Sequence, residues 1–282
     1  MVLTNIITLA SSTFVDQILY FPWGRMALIG LFIYLVLSFY AWLFADRILF
    51  PAPKEPGYRM DESVFFVECQ DGVKIACKYW HNPSTDHKTI LYSHGNAEDI
   101  GRIEESLAHW VETGYSVLAY DYPGYGHSSA KPSEQGCYNA IDAVYEHLKK
   151  NLGIPAEQIV IWGRSLGTGP SCYLAEKEKV AGLVLETPFI SAFLTVTEIP
   201  VVPWDRFPNL KRAPNLSIPT IVIHGHRDEI VPFRHGKRFF EALPEPKTFL
   251  QFQNAGHNDL SEIGGDQYRE KINDFLSRVL DG

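Results

Sequence analysis

Ser165 is the residue of this sequence whose surroundings most clearly indicate chemistry. It stands at the centre of G-x-S-x-G, between Gly163 and Gly167, directly after the apolar run Ile159–Trp162. A serine on a sharp turn between a strand and a helix has its hydroxyl exposed, and the flanking glycines let neighbouring chain approach it closely. The free N–H groups of the following helix favour a developing negative charge. The spacing therefore predicts a nucleophilic serine rather than one that only caps a helix.

A nucleophilic serine needs a base, and the base needs a carboxylate to orient it. Asp228 follows one predicted strand and His257 follows the next, so the chain order is serine, aspartate, histidine. This order is typical of one class of serine hydrolases. We predict Ser165 as the nucleophile, Asp228 as the orienting acid and His257 as the base. Glu186, at the end of an earlier strand, is the alternative acid.

Other polar residues near these positions are interpreted as structural rather than catalytic. His224, His226 and Asp228 alternate with a spacing that a metal site could use, but no second cluster of ligands accompanies them. We therefore expect no metal ion, and the predicted chemistry needs no cofactor. Asp259 is expected to cap a helix, and His94 is expected to brace a loop.

An oxyanion hole is expected beside the nucleophile. In the same class of enzymes, one backbone N–H comes from the loop after the third strand and the other from the residue after the nucleophile. We assign these donors to Asn96 and Leu166. Loss of one such donor typically costs about 10²–10³ in rate.

The elements that must position these residues follow from the hydrophobic pattern. Strands are predicted at 64–70 and 73–80 (an antiparallel hairpin), and at Thr89–Tyr92, Ser116–Tyr120, Ile159–Trp162, Leu183–Leu185, Thr220–Ile223 and Thr248–Phe252. Helices are predicted at 98–113, 135–152, 166–178, 233–243 and 266–280. Strand and helix in alternation predict a mostly parallel, doubly wound sheet with both faces covered. Ligands bind at the carboxyl ends of such strands, where the candidate catalytic residues fall.

The longest insertion in this pattern, about residues 189–218, is predicted to be a short cap over the site. Five of its apolar residues could line an acyl channel or could form the core of the cap itself: Phe193, Leu194, Val201, Val202 and Trp204.

The four cysteines form no C-x-x-C pair, which argues against a zinc or dithiol site. Cys69 and Cys77 flank the hairpin turn at Asp71-Gly72. A two-residue turn would place Cys69 opposite Lys74 and Cys77 opposite Phe66, on opposite faces of the sheet. We therefore expect free thiols.

Before the predicted sheet, residues Met26–Ala45 contain no charge. Twenty helical residues extend about 30 Å, the thickness of a bilayer's hydrocarbon core. We predict amphipathic and transmembrane helices over residues 1–47, a linker over 48–62 and a catalytic domain over 63–282. A hydrophobic helix packed on protein is the alternative. Three basic residues after the span against one before it favour a cytoplasmic catalytic domain: Arg47, Lys54 and Arg59 against Arg25.

Five motifs occur in an order that resembles a known group of enzymes. They are SHGNAEDIG (93–101), DYPGYGHS (121–128), GRSLGTGP (163–170), ETPF (186–189) and HGHRDEIVPF (224–233). They resemble the membrane-anchored α/β-hydrolases, which include eukaryotic depalmitoylating acyl-protein thioesterases, lysophosphatidylserine lipases and bacterial relatives. Residues 48–59 are similar to the linker of that group, and residues 205–209 are similar to its short cap motif. The resemblance implies the α/β-hydrolase fold and the triad assigned above.

This sequence departs from the depalmitoylating members at its N-terminus. Those members carry a lipidated cluster of cysteines there, whereas this chain has no cysteine before Cys69. The spanning helix would be its anchor instead. The departure weakens the case for protein depalmitoylation.

These features predict a serine hydrolase that cleaves carboxylic esters or thioesters of acylated, lipid-like substrates at a membrane. The expected partners are a small acylated substrate and the lipid bilayer. A net charge of −8 without a dense basic run argues against nucleic acid. One alternative is an aminopeptidase or amidase on the same triad, although the cap has no acidic cluster beyond Asp205 to hold a substrate's ammonium group. The other is a catalytically silent, membrane-tethered binding module.

Overall fold

The structure, a computed structural model, describes residues 22–84, 87–197 and 199–281. By its internal contacts the chain divides into two compact units, residues 1–48 and residues 49–282. The amphipathic helix expected over residues 1–20 lies outside the described residues.

The first described helix, α1, runs from Pro22 to Leu49 and contains the uncharged stretch of the sequence. Its 28 residues extend about 42 Å at 1.5 Å per residue. By length and composition α1 can cross a membrane, and only 6% of its most apolar 18-residue stretch is buried. The core helix of a globular domain would instead have its apolar residues covered.

Within the described residues of the second unit, eight strands form one sheet in the order β1-β2-β4-β3-β5-β6-β7-β8. The strands are β1 (Val64–Glu68), β2 (Lys74–Trp80), β3 (Thr89–Ser93), β4 (Ser116–Tyr120), β5 (Ile159–Arg164), β6 (Gly182–Glu186), β7 (Thr220–Gly225) and β8 (Lys247–Phe252). The helices are α2 (Ile100–Glu112), α3 (Glu134–Lys150), α4 (Thr168–Lys177), α5 (Leu194–Thr197), α6 (Asn209–Arg212), α7 (Arg234–Ala242) and α8 (Leu260–Leu280). Strand β2 is antiparallel to both neighbours, and the other pairs are parallel. The predicted α/β-hydrolase fold is confirmed.

Alternate side chains of the central strands enter two apolar cores, because successive residues of a strand point to opposite faces of the sheet. In β3, Leu91 packs on one face, whereas Ile90 and Tyr92 pack on the other. Helices α3, α4 and α7 contribute to the first core, and α2 and α8 contribute to the second. Burial on both faces explains why the central strands are continuous apolar runs in the sequence.

The hairpin of β1 and β2 differs from the prediction by one residue in register. The N–H of Cys69 donates to the carbonyl of Val73 at 2.8 Å, so Cys69 lies opposite Val73 and not opposite Lys74. The turn therefore has three residues between the paired positions instead of two. Gly72 adopts φ = +79°, the left-handed conformation that such a turn needs at its last residue.

This shift also changes which face each cysteine occupies. Cys77 lies opposite Phe65 rather than Phe66, which places it on the same face as Cys69. Both thiols are free and buried. A one-residue slip moves every side chain of a strand to the other face. The observed register brings four apolar side chains of the hairpin into the core: Val67, Cys69, Ile75 and Cys77.

The chain between β6 and β7 contains only short helical elements in its described part. These are α5, α6 and one 3-10 turn, Ala213–Asn215. Neither α5 nor α6 exceeds four residues. It starts at the carboxyl end of β6, at the same edge of the sheet as the loops after β3, β5 and β7.

Candidate active site

Three side chains from three strand ends form one chain of hydrogen bonds. Ser165 follows β5, Asp228 lies in the loop after β7, and His257 lies in the loop after β8. His257 Nε2 is 2.9 Å from Ser165 Oγ, and His257 Nδ1 is 2.8 Å from Asp228 Oδ2. An ionised carboxylate only accepts hydrogen bonds, so Nδ1 carries the proton and Nε2 accepts from the serine hydroxyl. The structure brings together the three residues that the sequence singled out.

The backbone at Ser165 is strained, and two glycines make the strain possible. Ser165 has φ = +50°, a left-handed value that residues other than glycine rarely adopt. A Cβ atom at Gly167 would lie 2.0 Å from the carbonyl oxygen of Ser93, and one at Gly163 would lie 2.5 Å from the carbonyl oxygen of Gly167. Side chains cannot be accommodated at either position. The G-x-S-x-G pattern is therefore explained by backbone packing around the nucleophile.

Asp228 is stabilised as an anion. Its Oδ1 accepts the N–H groups of Ile230 at 2.9 Å and Val231 at 2.7 Å. Burial by itself raises the pKa of this carboxyl, but hydrogen bonds with His224 and His257 outweigh it, and the pKa lies well below its usual range. The stabilisation from this shift is present above the ordinary aspartate pKa of about 4 and is lost as the pH falls through the lowered pKa. Asp228 is therefore charged at neutral pH.

His224 supports Asp228, a role that the sequence did not reveal. Its Nε2 lies 2.8 Å from the carbonyl oxygen of Val231, which only accepts, so Nε2 carries a hydrogen. The same Nε2 lies 3.3 Å from Asp228 Oδ2.

His226 has a different environment, with its ring stacked on Phe233 at 3.8 Å between centroids. In the described parts of the chain, no group of three His, Cys, Asp or Glu residues could hold a metal ion.

Glu186, the alternative acid, has other partners. Its carboxylate accepts hydrogen bonds from Trp162 Nε1 at 2.9 Å and from the hydroxyl of Tyr268 at 2.6 Å. Both rings belong to the core that α2 and α8 cover. Asp228 is the carboxylate that reaches Nδ1 of His257.

The two predicted oxyanion donors lie on segments that touch each other. Asn96 is on the loop after β3, and Leu166 is in the turn after β5. The close approach of Gly167 to Ser93 brings these segments together. Among the described residues, no hydrogen bond occupies the amide N–H of Asn96 or of Leu166. Both amides are therefore free to donate to an oxyanion beside Ser165.

His94, on the same loop, is fully buried. Its Nδ1 lies 2.7 Å from the carbonyl oxygen of Gly95 and so donates to it. The hydroxyl of Tyr122 donates to the carbonyl oxygen of His94 at 2.6 Å. These contacts suit the bracing role expected for this residue.

Arg164, the last residue of β5, links two loops of the site, and sequence reasoning missed it. Its guanidinium forms an ion pair with Glu98 on the loop after β3. It also lies 2.8 Å from Asn258 Oδ1 and 3.4 Å from the carbonyl oxygen of His257. Glu98 in turn accepts the N–H of Gly95 at 2.7 Å. The one signal in the sequence was the position of Arg164 directly before the nucleophile.

The five apolar cap residues singled out in the sequence border a single cavity of about 480 Å³. The rings of Phe193 and Trp204 meet edge to face, with centroids 5.3 Å apart. Other residues form the buried core of this segment: Phe189, Ala192 and Phe207. Lys211 and Arg238 also border the cavity and add positive charge to it.

Comparison with known proteins extends these observations. A family model described as the α/β hydrolase fold matches residues 88–201. "Alpha/beta hydrolase domain-containing protein aho-3" of Caenorhabditis elegans is 37% identical over 206 residues, which cover 72% of this chain and 61% of that protein. "Alpha/beta hydrolase domain-containing protein 17B" of Xenopus tropicalis is 35% identical over 221 residues, which cover 77% of this chain and 75% of that protein. The match thus spans less than two thirds of the length of aho-3. It spans three quarters of the length of 17B.

A solved structure with a similar fold is the esterase Pf2001 of Pyrococcus furiosus. It aligns with a TM-score of 0.69 at 19% sequence identity, over 80% of this chain and 98% of the esterase. Likeness at this level of identity shows a common fold.

Exchange of the two candidate acids for amides should separate their roles. We expect Asp228→Asn to lower kcat by about 10⁴, because the amide favours the wrong tautomer of His257. Glu186→Gln should keep kcat within about threefold of wild type while lowering the melting temperature, because it breaks a buried hydrogen bond. Ester hydrolysis and thermal unfolding of both variants provide the measurements. A large loss of kcat in Glu186→Gln with an active Asp228→Asn would reverse the assignment.

Proposed function

This chain belongs to the α/β-hydrolase domain-containing protein 17 family, and we propose that it is a serine hydrolase of carboxylic esters or thioesters. The observation that carries the proposal is the hydrogen-bonded chain from Ser165 through His257 to Asp228. All three residues are nearly buried, with exposed fractions of 9%, 8% and 6% in that order. Hydrogen bonds are stronger in such low-dielectric surroundings than in water.

The geometry supports a two-step mechanism through an acyl-enzyme. Ser165 Oγ attacks the acyl carbon while His257 Nε2 takes the hydroxyl proton. Asp228 holds the proton on Nδ1 and stabilises the imidazolium that forms. The N–H groups of Asn96 and Leu166 stabilise the oxyanion. His257 then protonates the leaving group, and a water molecule activated by the same base releases the acyl group.

The cap supports an apolar acyl group as the part of the substrate that is recognised. A cavity of about 480 Å³ bordered by aromatic and aliphatic side chains is of the size that binds small apolar ligands. The contacts of Asp205 argue against an aminopeptidase. Its carboxylate accepts the hydroxyl of Ser191 at 2.6 Å and the N–H of Phe193 at 2.8 Å, so it serves the cap's own structure.

Helix α1 supports a site of action at a membrane. It is long and apolar enough to span a bilayer. The basic residues Arg47, Lys54 and Arg59 follow the span, which supports a cytoplasmic position for the catalytic domain. An anchored enzyme of this kind would encounter acylated substrates at the membrane surface.

Active-site labelling tests the mechanism. We expect a fluorophosphonate probe to label the purified chain and not the Ser165→Ala variant, because the probe requires an activated serine. In a panel of esters, thioesters, lysophospholipids and aminoacyl amides, the wild type should hydrolyse esters or thioesters, and Ser165→Ala should not. Equal labelling of both proteins would contradict the mechanism, and a preference for aminoacyl amides would contradict the substrate class.

Filling the cap cavity should shorten the acyl chain that is accepted. We expect Val202→Trp to lower the ratio of kcat/KM for p-nitrophenyl laurate over p-nitrophenyl butyrate by more than tenfold. Loss of burial of two methylene groups alone costs about 1.6 kcal/mol, which exceeds the 1.4 kcal/mol of a tenfold change. Val196→Trp is the matched control, because Val196 is 82% exposed and does not border the cavity. Equal ratios in Val202→Trp and the control would place the acyl group elsewhere.

Charges in α1 should weaken membrane anchoring. We expect the double variant Leu31→Arg and Leu35→Arg to be extracted from membranes by alkaline carbonate, because each arginine at a helix centre costs about 2.5–3.5 kcal/mol in the bilayer. Alanine at the same two positions is the control and should remain in the membrane fraction. A wild-type chain that carbonate extracts would show that α1 does not span the bilayer.

A further inference from the structure

The ten residues from Leu49 to Tyr58, which we call the strap, are joined to the loop after β3. At one end of the strap, the carbonyl oxygen of Leu49 accepts a hydrogen bond from Asn96 Nδ2 at 2.6 Å. Leu49 is the last residue of α1, where backbone carbonyls have no partner within the helix. Near the other end, the N–H of Gly57 donates to Asp99 Oδ2 at 2.8 Å.

Contacts of two side chains, Phe50 and Tyr58, hold the strap in place. Phe50 is only 5% exposed, and its ring meets that of Phe207 edge to face with centroids 6.2 Å apart. The hydroxyl of Tyr58 donates to Asp121, which is fully buried and also accepts the N–H of Ile100 at 2.9 Å. The strap is therefore fixed at both ends within the second unit.

The side chain of Asn96 has a partner at each end. Nδ2 donates to Leu49, and Oδ1 accepts the hydroxyl of Tyr125 at 2.6 Å. The next residue, Ala97, has φ = +63°, a left-handed value that is unfavourable for alanine. Such a conformation persists where surrounding contacts impose it. The two hydrogen bonds of the Asn96 side chain are contacts of that kind, one residue from the strained position.

We propose that the Asn96 side chain is a positioning device, through which the strap fixes the backbone N–H that faces the oxyanion. The inference rests on the proposed function, since it assigns a role within the same site. The backbone and the side chain of Asn96 thus have separate roles. Its amide N–H binds the oxyanion, and its side chain sets where that N–H points.

A single substitution tests the positioning role. The Asn96→Ala variant keeps the backbone N–H and loses both side-chain bonds. In the full-length chain in detergent micelles, with p-nitrophenyl butyrate as substrate, we expect kcat to fall by about 10- to 100-fold. KM should stay within about threefold of wild type, because the displaced N–H acts mainly on the transition state. Asn139→Ala is the matched control. The Asn139 amide is also bonded at both ends, to Asp71 and Gln135, but it lies on α3 and contacts no residue of the triad, so this variant should keep wild-type kcat.

A double-mutant cycle tests whether the strap acts through Asn96. Phe50→Ala removes the ring that seats the strap and should lower kcat several-fold in the wild-type background. In the Asn96→Ala background the same change should alter kcat by less than twofold, because the connection is already broken. Phe50→Leu replaces Phe50→Ala in the cycle if the alanine variant does not fold, as judged by its thermal unfolding.

The outcomes are distinct. A wild type that neither hydrolyses the ester nor reacts with a fluorophosphonate probe overturns the proposed function and this inference with it. An active wild type with an Asn96→Ala variant of equal kcat overturns the positioning role alone. Equal effects of Phe50→Ala in both backgrounds overturn the role of the strap.

Discussion

The hydrogen bond between His257 Nδ1 and Asp228 Oδ2 is the interaction on which the proposed chemistry depends. It joins the loops after two neighbouring strands, and its 2.8 Å length fixes both the tautomer and the orientation of the imidazole. The bond requires an ionised carboxylate in a buried place. Burial alone opposes that charge, and the two backbone N–H groups and two histidines around Asp228 overcome the opposition.

Hydrogen bonds and an ion pair between side chains and backbone join the remaining loops of the site to other loops and to the strap, in addition to their attachment to the strands. Arg164 connects the loops that carry Glu98 and His257. The Asn96 side chain connects the loop after β3 to Leu49. Strained residues occur where these loops meet, at Ser165 and Ala97. Strain of this kind is stored where surrounding contacts are strong enough to impose it, and active sites commonly use it to preset the position of reacting groups. The preset geometry is what allows backbone N–H groups to stabilise charge without rearrangement.

The apolar residues of the cap fall into two groups with different positions. Phe189 and Phe207 are buried and attach the segment to the sheet domain, whereas Phe193, Val202 and Trp204 border an open cavity. Such a division is consistent with a segment that must be fixed in place and yet leave room for an apolar ligand. The chain has 35% identity with protein 17B of Xenopus tropicalis over most of both lengths. That likeness establishes the family, and the acyl substrate is proposed from the cavity.

The sequence by itself determined the elements and the residue types of the candidate site. Apolar runs of β3 and β5 are long enough to be read as buried strands, and the strained turn at Ser165 needs glycines at fixed positions, so both are visible in local sequence. Chain order and position after a predicted strand then indicated His257 as the base and Asp228 as its acid, with Glu186 left as the alternative acid. These features depend on neighbours along the chain.

Only the tertiary structure decided which distant groups meet. The hairpin register was predicted wrongly by one residue, because two turn lengths suited the same Asp71-Gly72 pair and the burial of core side chains selected one of them. The choice of Asp228 over Glu186 depended on which carboxylate reaches His257. The bond between Asn96 and Leu49 joins residues 47 positions apart. Such contacts arise when packing brings together segments that are far apart in the chain. The hydrophobic period of a sequence reports only on neighbouring residues, so it does not indicate which distant residues will meet.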